Sequence, residues 1–341
     1  MKKLLVSTVI LSLALGLHSC SEDFEVSAPY KDITVVYGLL NMRDTAHYVR
    51  IQKAFLDENK SAIDMAKEAD SNFHNALEVR VKELSGAGVV DVIQLQRVDM
   101  NTEGYPKQPG AFFTSPNYAY KFKKALNPAN KYRLVILNTN TGDVDSSEIS
   151  IVDTNDIKVT WKPVFSFGRL VPTTSAKYQI FVNPTTDVRY LEGIVRFHWV
   201  DSNLNTGELR NDSTDYMFAS KAPDGQAMEV LHTSLYTALK DAMQLPPANV
   251  VRLMDSVDMF IYGGGVDFYN YITTTQLQSG GLTADQVKPI YTNLKGGDVY
   301  GIFSSRNYAA DYNIPIDDLT IDSLRLNAIT APLLIRGRSS K

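Results

Sequence analysis

The chain has 341 residues, of which 44% are hydrophobic, 21% charged and 10% aromatic. This composition excludes a disordered chain, a collagen-like fibre and a disulfide-rich miniprotein, and the length is typical of about two domains. The formal net charge of −4 provides no basic footprint for nucleic acid. The single cysteine excludes internal disulfides, cysteine-rich zinc sites and iron–sulfur clusters.

The N-terminus has the pattern of a bacterial lipoprotein signal. Lys2 and Lys3 form a positive region, followed by an apolar stretch, Leu4 to Leu17, that is too short to span a bilayer as a permanent helix. The small Ser19 before Cys20 resembles a lipobox, so we expect cleavage before Cys20 and acylation of its thiol with chains such as palmitate. This interpretation gives a signal peptide over 1–19 and a lipidated tether over 20–31. The alternative is an ordinary signal peptide with a stray cysteine.

A short acidic run follows the cysteine: Ser21, Glu22, Asp23, Phe24 and Glu25. The run resembles the export signal of Bacteroidetes lipoproteins that reach the outer face of the outer membrane. We therefore expect Ser21, Glu22, Asp23 and Glu25 to direct a lipid-anchored protein to the outer membrane, facing the cell exterior. The alternative is a solvated tether, in which acidic residues are ordinary.

Residues 32–155 have the pattern of an antiparallel sandwich of the immunoglobulin-like kind. Short runs of β-branched and aromatic residues alternate with turn residues, as in half-buried strands. The predicted strands are 33–40, 48–55, 77–84, 89–97, 118–122, 132–138 and 148–152, with a short helix over 62–70.

Residues 156–341 are predicted to form a second β-rich domain with interrupting helices, so the fold class is mainly β. A crossover linker over 153–172 precedes strands over 178–182, 191–200, 213–219 and 251–262 and helices over 229–243 and 268–278. The triple glycine at 263–265 lacks the Walker lysine and the dinucleotide pattern, so we expect a flexible strand-to-helix turn there. Gly296 and Gly297 predict a tight turn with positive φ, which delivers Val299 to Phe303 as a buried strand of the second domain.

Two regions carry a family resemblance. The segments Thr34–Leu40 and Tyr48–Ile51, and near the other end Phe268–Tyr271, Pro289–Gly297 and Gly301–Phe303, are similar to the opening and closing segments of a Bacteroidetes outer-membrane lipoprotein family. That family is catalogued as domain of unknown function 4249. The resemblance implies a partnership with TonB-dependent receptors and no particular chemistry. We interpret its glycines as turn residues and its aromatic residues as core.

The sequence offers no catalytic constellation. His47, His74, His198 and His232 would survive processing, and none lies in a nucleophile elbow or a His-Glu-x-x-His zinc helix. His198 lies in a predicted strand and fits a packed or cross-strand histidine better than a base. We therefore predict no catalytic residue, no cofactor and no enzymatic activity.

One loop resembles an oxygen-rich calcium loop. Asp201, Asn203, Asn205 and Asp212 place side-chain oxygens near one another in sequence. The EF-hand requires Gly at its sixth position and Glu at its twelfth, where this chain has Thr206 and Asp212. A hairpin loop prefers the same residue types, so both interpretations stay open.

Four tripeptides resemble the Bacteroidetes O-glycosylation pattern of Asp, an acceptor and a following residue. Such tripeptides also arise by chance. The acceptors are Thr45, Ser213, Ser256 and Ser323.

Together these patterns predict a non-enzymatic surface lipoprotein that assists a TonB-dependent receptor in nutrient capture. The alternative is a stand-alone glycan-binding or adhesive β-sandwich lipoprotein, and an enzyme ranks third. An exposed row of Trp and Tyr would favour glycan binding. A shape-complementary face near the tether would favour the receptor partner.

Overall fold

The computed structural model describes residues 33–54, 61–110, 112–167, 176–221, 227–279 and 291–337. Cys20 and the acidic run 21–25 lie outside these residues, as do the predicted signal peptide and tether. The strands are β1 Ile33–Leu40, β2 His47–Ala54, β3 Leu77–Ser85, β4 Gly88–Gln94, β5 Gln96–Asp99, β6 Tyr118–Phe122, β7 Lys131–Asn138, β8 Val144–Ser150, β9 Ile157–Thr160, β10 Lys177–Pro184, β11 Tyr190–Asn203, β12 Leu209–Lys221, β13 Met228–Leu231, β14 Val250–Gly264, β15 Val299–Pro315 and β16 Ile335–Arg336. The helices are α1 Ala62–Lys67, α2 Ala69–Asn72, α3 His232–Ala242, α4 Val266–Ser279 and α5 Asp318–Leu326.

One long sheet organises the mainly β fold. Its strand order is β12-β11-β14-β15-β1-β2-β6-β5, with β16 paired to β14. The sheet β4-β3-β7-β8 packs against one half of it, and the sheet β13-β10-β9 with helices α3 and α5 packs against the other. Each half encloses its own apolar core, because inward residues alternate with outward ones along the strands. The fully buried members include Val36, Val79 and Leu134 in the first core and Phe197, Met259 and Leu324 in the second.

The strand β15 takes part in both halves. Val299–Ser305 pairs in parallel with β1, and Arg306–Pro315 pairs antiparallel with β14. The expected buried strand at Val299 to Phe303 is therefore present, but its sheet neighbour is β1 at the start of the chain. Residues from the C-terminal part thus complete the N-terminal sandwich.

The structure departs from the sequence expectation at several elements. The predicted strand 89–97 is two strands, β4 and β5, which lie in different sheets, and the predicted helix 62–70 is two short helices, α1 and α2. Helix α3 begins at His232 rather than residue 229, because Met228–Leu231 pairs with β10 as strand β13. Strand β9 lies within the expected linker and pairs with the other side of β10. Helix α5 was not expected; Asp317 caps it by accepting the Thr320 N–H at 2.9 Å, and Ile321 and Leu324 bury its apolar face.

The glycines play roles other than the predicted ones. Gly296 and Gly297 do not have positive φ, so the expected left-handed turn is wrong; a Cβ on Gly296 would overlap the Asp145 carboxylate. Positive φ occurs instead at Gly301, at +106°, where a Cβ would overlap the Val36 carbonyl of the paired strand. Similarly, Gly263 and Gly264 end strand β14 rather than forming a flexible turn. Close packing favours a glycine at Gly263, Gly264, Gly296 and Gly301, whereas Gly297 has open space around its Cβ position.

Candidate functional site

A groove of about 460 Å³ lies on the outer face of the long sheet, opposite the N-terminal core. Three adjacent strands build its floor, since Ile302 of β15, Tyr37 of β1 and Arg50 of β2 are direct cross-strand partners. Ala119 of β6 and Met100 extend the floor toward the β5–β6 loop. The alternation of the strands therefore gives the sheet an outward row of apolar and aromatic side chains with one guanidinium.

Helix α4 forms the wall of the groove. Its Tyr271 meets Tyr37 edge to face, with ring centroids 6.3 Å apart. Its Phe268 packs against Tyr190 at 5.2 Å and over Gly264, where a Cβ would overlap the Phe268 ring. Burial, together with the neighbouring Tyr271, raises the pKa of Tyr37 to about 12, so its hydroxyl stays neutral. The wall is therefore an aromatic surface fixed in place by close packing.

Arg50 is the charged group of the groove. Its Nη2 donates to Asn117 Oδ1 at 2.6 Å, and Asn117, only 2% exposed, in turn donates to the Tyr105 carbonyl at 3.2 Å. Across the described part of the chain this is the one hydrogen bond that the Arg50 side chain makes, and no carboxylate forms an ion pair with it. Burial lowers the pKa of Arg50 without neutralising it. A fixed guanidinium with unused donors thus faces an apolar groove.

A second cation lies beside the first. Lys107 sits over the rings of Phe112 and Phe113, 5.3 and 4.6 Å from their centroids. Burial and then the charge of Arg50 lower the pKa of Lys107. The carboxylate of Glu103 does not pair with Arg50 or Lys107. It accepts the Tyr48 hydroxyl at 2.9 Å and pairs with Lys121 instead. Lys107 therefore adds positive charge in the neighbourhood of Arg50, although it does not line the groove itself.

A second aromatic surface lies on the outer face of β14 and β15. Tyr262 and Tyr308 have ring centroids 5.3 Å apart, and Phe260 meets Tyr312 edge to face at 5.7 Å. The Arg43 guanidinium lies 4.5 Å from the Tyr308 ring centroid. This surface is separate from the groove, because none of these residues lines it.

The sequence of the chain matches a known protein family. A model of the family described as Domain of unknown function (DUF4249) matches residues 21–311. The chain belongs to this family. The matched segment runs from Ser21 to within β15 and contains every residue of the groove, whereas α5 lies outside it. No curated protein matches the chain.

Three of the four residues of the predicted calcium loop have other partners, whereas Asn205 contributes its backbone N–H to Asn203 Oδ1. Both oxygens of Asp201 accept from Arg252, at 2.7 and 2.8 Å, and Asn203 Oδ1 accepts from Asn249 and two loop amides. Asp212 pairs with Arg210 at 3.1 Å. Calcium there stays a prediction, and the cation would have to compete with Arg252 for Asp201. Among the described residues, no group of three or more acids, histidines or cysteines has a metal-binding arrangement.

The histidines are separated in the fold. His198 Nε2 lies 2.8 Å from Asp258 Oδ2 on the neighbouring strand, as expected of a cross-strand histidine. His47 is buried beside the Lys124 carbonyl, and burial lowers its pKa. His74 and His232 make their own local hydrogen bonds, to Thr34 and to the Ala176 carbonyl. The described chain brings no two of these rings together.

The four predicted glycosylation acceptors differ in access. Thr45 and Ser213 are exposed, and Ser256 is half-buried. Ser323 is 5% exposed and donates to the Leu319 carbonyl within α5, so the folded protein hides it.

Within the described residues, none of the helices combines the length and apolar character needed to cross a bilayer.

Sequence reasoning missed the groove. Tyr37 and Tyr271 lie in the family motifs and were expected in the core, but Tyr37 is 41% exposed. The sequence signal that could have located it is the alternation of side chains along a strand. Val36 and Gly38 lie on the buried face of β1, so Tyr37 between them faces outward. Its neighbour Arg50 could not be found without the strand register.

Proposed function

We propose that this protein is a ligand-binding lipoprotein whose groove captures a small molecule for a TonB-dependent receptor. The observation that supports the proposal is the concave aromatic groove with a fixed guanidinium at its floor. Its volume of about 460 Å³ falls in the range of small-molecule sites, which are mostly apolar with few placed polar groups. Capture without chemical conversion is consistent with a lining in which the described residues include no histidine, carboxylate, serine or cysteine.

The location of the groove fits a surface-anchored carrier. Tyr37 stands four residues beyond the start of β1, where the chain enters the fold from the predicted tether, so about 13 Å of strand separates the two. The family model begins at Ser21, directly after the predicted lipidation site. Anchoring through Cys20 in the outer membrane and export by the acidic run remain parts of the proposal.

Ligand capture is tested with the detergent-solubilised mature chain. The protein is incubated with an extract of small molecules, washed, and the retained compounds are identified by mass spectrometry. The variant Tyr37→Ala/Tyr271→Ala should lose them, since each tyrosine forms part of the aromatic surface. Met217→Ala, at an exposed position on β12, is the matched control. Equal retention by wild type and the double variant would contradict the groove as the ligand site.

The receptor partnership needs its own experiment. Wild-type protein is purified from membranes in mild detergent, and co-purifying proteins are identified. A stoichiometric TonB-dependent receptor is the expected result. Recovery of the lipoprotein alone, at detergent concentrations that preserve other outer-membrane complexes, would contradict the partnership and leave ligand capture standing.

The second aromatic surface favours the alternative of a glycan-binding lipoprotein. Flat tyrosine faces stack on sugar rings, and Tyr262 and Tyr308 are partly exposed side by side. Affinity electrophoresis through immobilised polysaccharides distinguishes the two functions. Retardation that depends on Tyr262 and Tyr308, but not on Tyr37, would favour the alternative.

A further inference from the structure

We propose that the ligand of the groove is a carboxylate that carries an aromatic ring, with the ring lying on the tyrosines and the carboxylate paired with Arg50. This inference rests on the proposed function, because it requires the groove to be a ligand site. It goes further by naming the chemical class. Three observations on the described residues support it.

The first observation is the unbalanced charge at the groove floor. Arg50 has a single hydrogen bond, to an amide oxygen, although its guanidinium offers five N–H donors. The nearby carboxylates already have partners. Glu103 accepts the Tyr48 hydroxyl and pairs with Lys121. Asp99 Oδ1 accepts the backbone N–H groups of Asn101 and Asn117. An anion brought by the ligand would supply the missing partner.

The second observation is that the guanidinium is fixed before any ligand arrives. Asn117 is 2% exposed and is tied to the Tyr105 carbonyl through one side-chain atom and to Arg50 through the other. A planar guanidinium held in one orientation pairs with a carboxylate through two parallel N–H···O bonds. Such fixation reduces the side-chain entropy that binding would otherwise cost.

The third observation is the position of the rings around the guanidinium. Tyr37 is the direct cross-strand partner of Arg50, and Tyr48 lies two residues away on the same face of β2. Tyr271 stands edge-on to Tyr37. A ligand whose carboxylate reaches Arg50 therefore places its remaining atoms against these rings, where an aromatic group packs best. Lys107 adds positive charge in the neighbourhood of Arg50.

The test uses two ligands that differ only in charge. N-acetyl-tyrosine and N-acetyl-tyrosinamide are titrated calorimetrically into the detergent-solubilised mature chain. We expect the acid to bind at least about tenfold more tightly than the amide, as a charge-assisted pair requires. Arg50→Gln should reduce the acid to the affinity of the amide. Arg50→Lys, which keeps the charge without the fork, should retain part of the preference.

The controls separate this inference from the proposed function. Arg196 lies away from the groove and already pairs with Asp215. Arg196→Gln should therefore leave the affinities for the acid and for the amide unchanged. Equal binding of acid and amide, lost on Tyr271→Ala, would overturn the carboxylate pairing while the groove remains a ligand site. Tighter binding of phenyl phosphate than of the acid would also overturn it. Failure of every compound to bind at up to about 10 mM would overturn the carboxylate assignment. The extract experiment on the Tyr37→Ala/Tyr271→Ala variant then decides separately whether the groove is a ligand site. Melting temperatures confirm that each variant is folded.

Discussion

Asp145 is a carboxylate with little compensation for its burial. It is 8% exposed, and its partner is the Gly297 backbone N–H. Burial raises its pKa above the ordinary value, the Gly297 amide acts against this, and Asp143 adds to it. The folded state therefore favours the protonated form. Its contribution to the free energy of unfolding is complete below the pKa that Asp145 has in the unfolded chain. That contribution is lost as pH rises through the higher pKa of Asp145 in the folded protein.

We therefore expect Asp145→Asn to gain stability relative to wild type as pH rises from about 3 to 7. The amide oxygen can still accept the Gly297 N–H, and no charge has to be buried. Urea denaturation at both pH values measures the difference. Asp241→Asn, at an exposed position on α3, is the control and should change little. A constant difference between Asp145→Asn and wild type across this range would show that the carboxylate is not responsible.

Gly301 is the residue with the strictest backbone requirement in the shared strand. Its φ of +106° disfavours every L side chain, and a Cβ would overlap the Val36 carbonyl. Gly301→Ala should cost at least about 3 kcal/mol, from backbone strain and displacement of β1. Gly297→Ala has open space around its Cβ and no positive φ, and should cost less than about 1 kcal/mol. Chemical denaturation of the two variants compares them directly.

At the scale of elements, helix α4 depends on one glycine for its position. Phe268 occupies the space that a Cβ on Gly264 would need, so Gly264→Ala must push the helix away from the sheet. We expect a loss of about 1–3 kcal/mol in stability, as in other overpacked sites, and weaker binding of any groove ligand. Gly265→Ala has only ordinary contacts and should preserve both. Unchanged ligand affinity in a folded Gly264→Ala variant would show that ligand binding does not depend on the position of α4.

The elements also show what local sequence can and cannot predict. β1 was predicted with its exact bounds, because alternation and β-branched residues act within the strand itself. Val230 and Leu231 fit a helical apolar face equally well, and only pairing with β10 assigns them to β13. The groove could not be predicted for the same reason. Tyr37 and Arg50 meet through strand register, and Tyr271 reaches them from more than 200 residues away.

At the scale of the whole molecule, β15 predicts cooperative unfolding of the two halves. Leu134→Ala in the N-terminal core should lower stability by about 2–5 kcal/mol. Both tryptophans, Trp161 and Trp199, lie in the other half of the chain. If the shared strand couples the halves, tryptophan fluorescence and far-ultraviolet circular dichroism should report the same shifted midpoint. Val89→Ala, at an exposed position, is the control. Two separate transitions would indicate independent domains.

The proposed lipid anchor gives a prediction for the cell. Cys20→Ser removes the only thiol of the chain and should release the protein from the membrane fraction. Replacing Glu22, Asp23 and Glu25 by alanine should leave acylation intact but protect the protein from protease added to whole cells. Membrane association of the Cys20→Ser variant equal to wild type would refute the anchor.

The parallel pairing of β1 with β15 has a consequence for the order of events during the secretion that we propose. A chain that emerges from a translocon N-terminus first presents β1 early, but its partner Val299–Ser305 arrives about 260 residues later. During that interval one hydrogen-bonding edge of β1 has no native neighbour, and such edges pair readily with other strands. The N-terminal half of the protein must therefore wait in an incomplete form until nearly the whole chain has crossed. A periplasmic holdase that covers this edge would act on the protein before the groove exists.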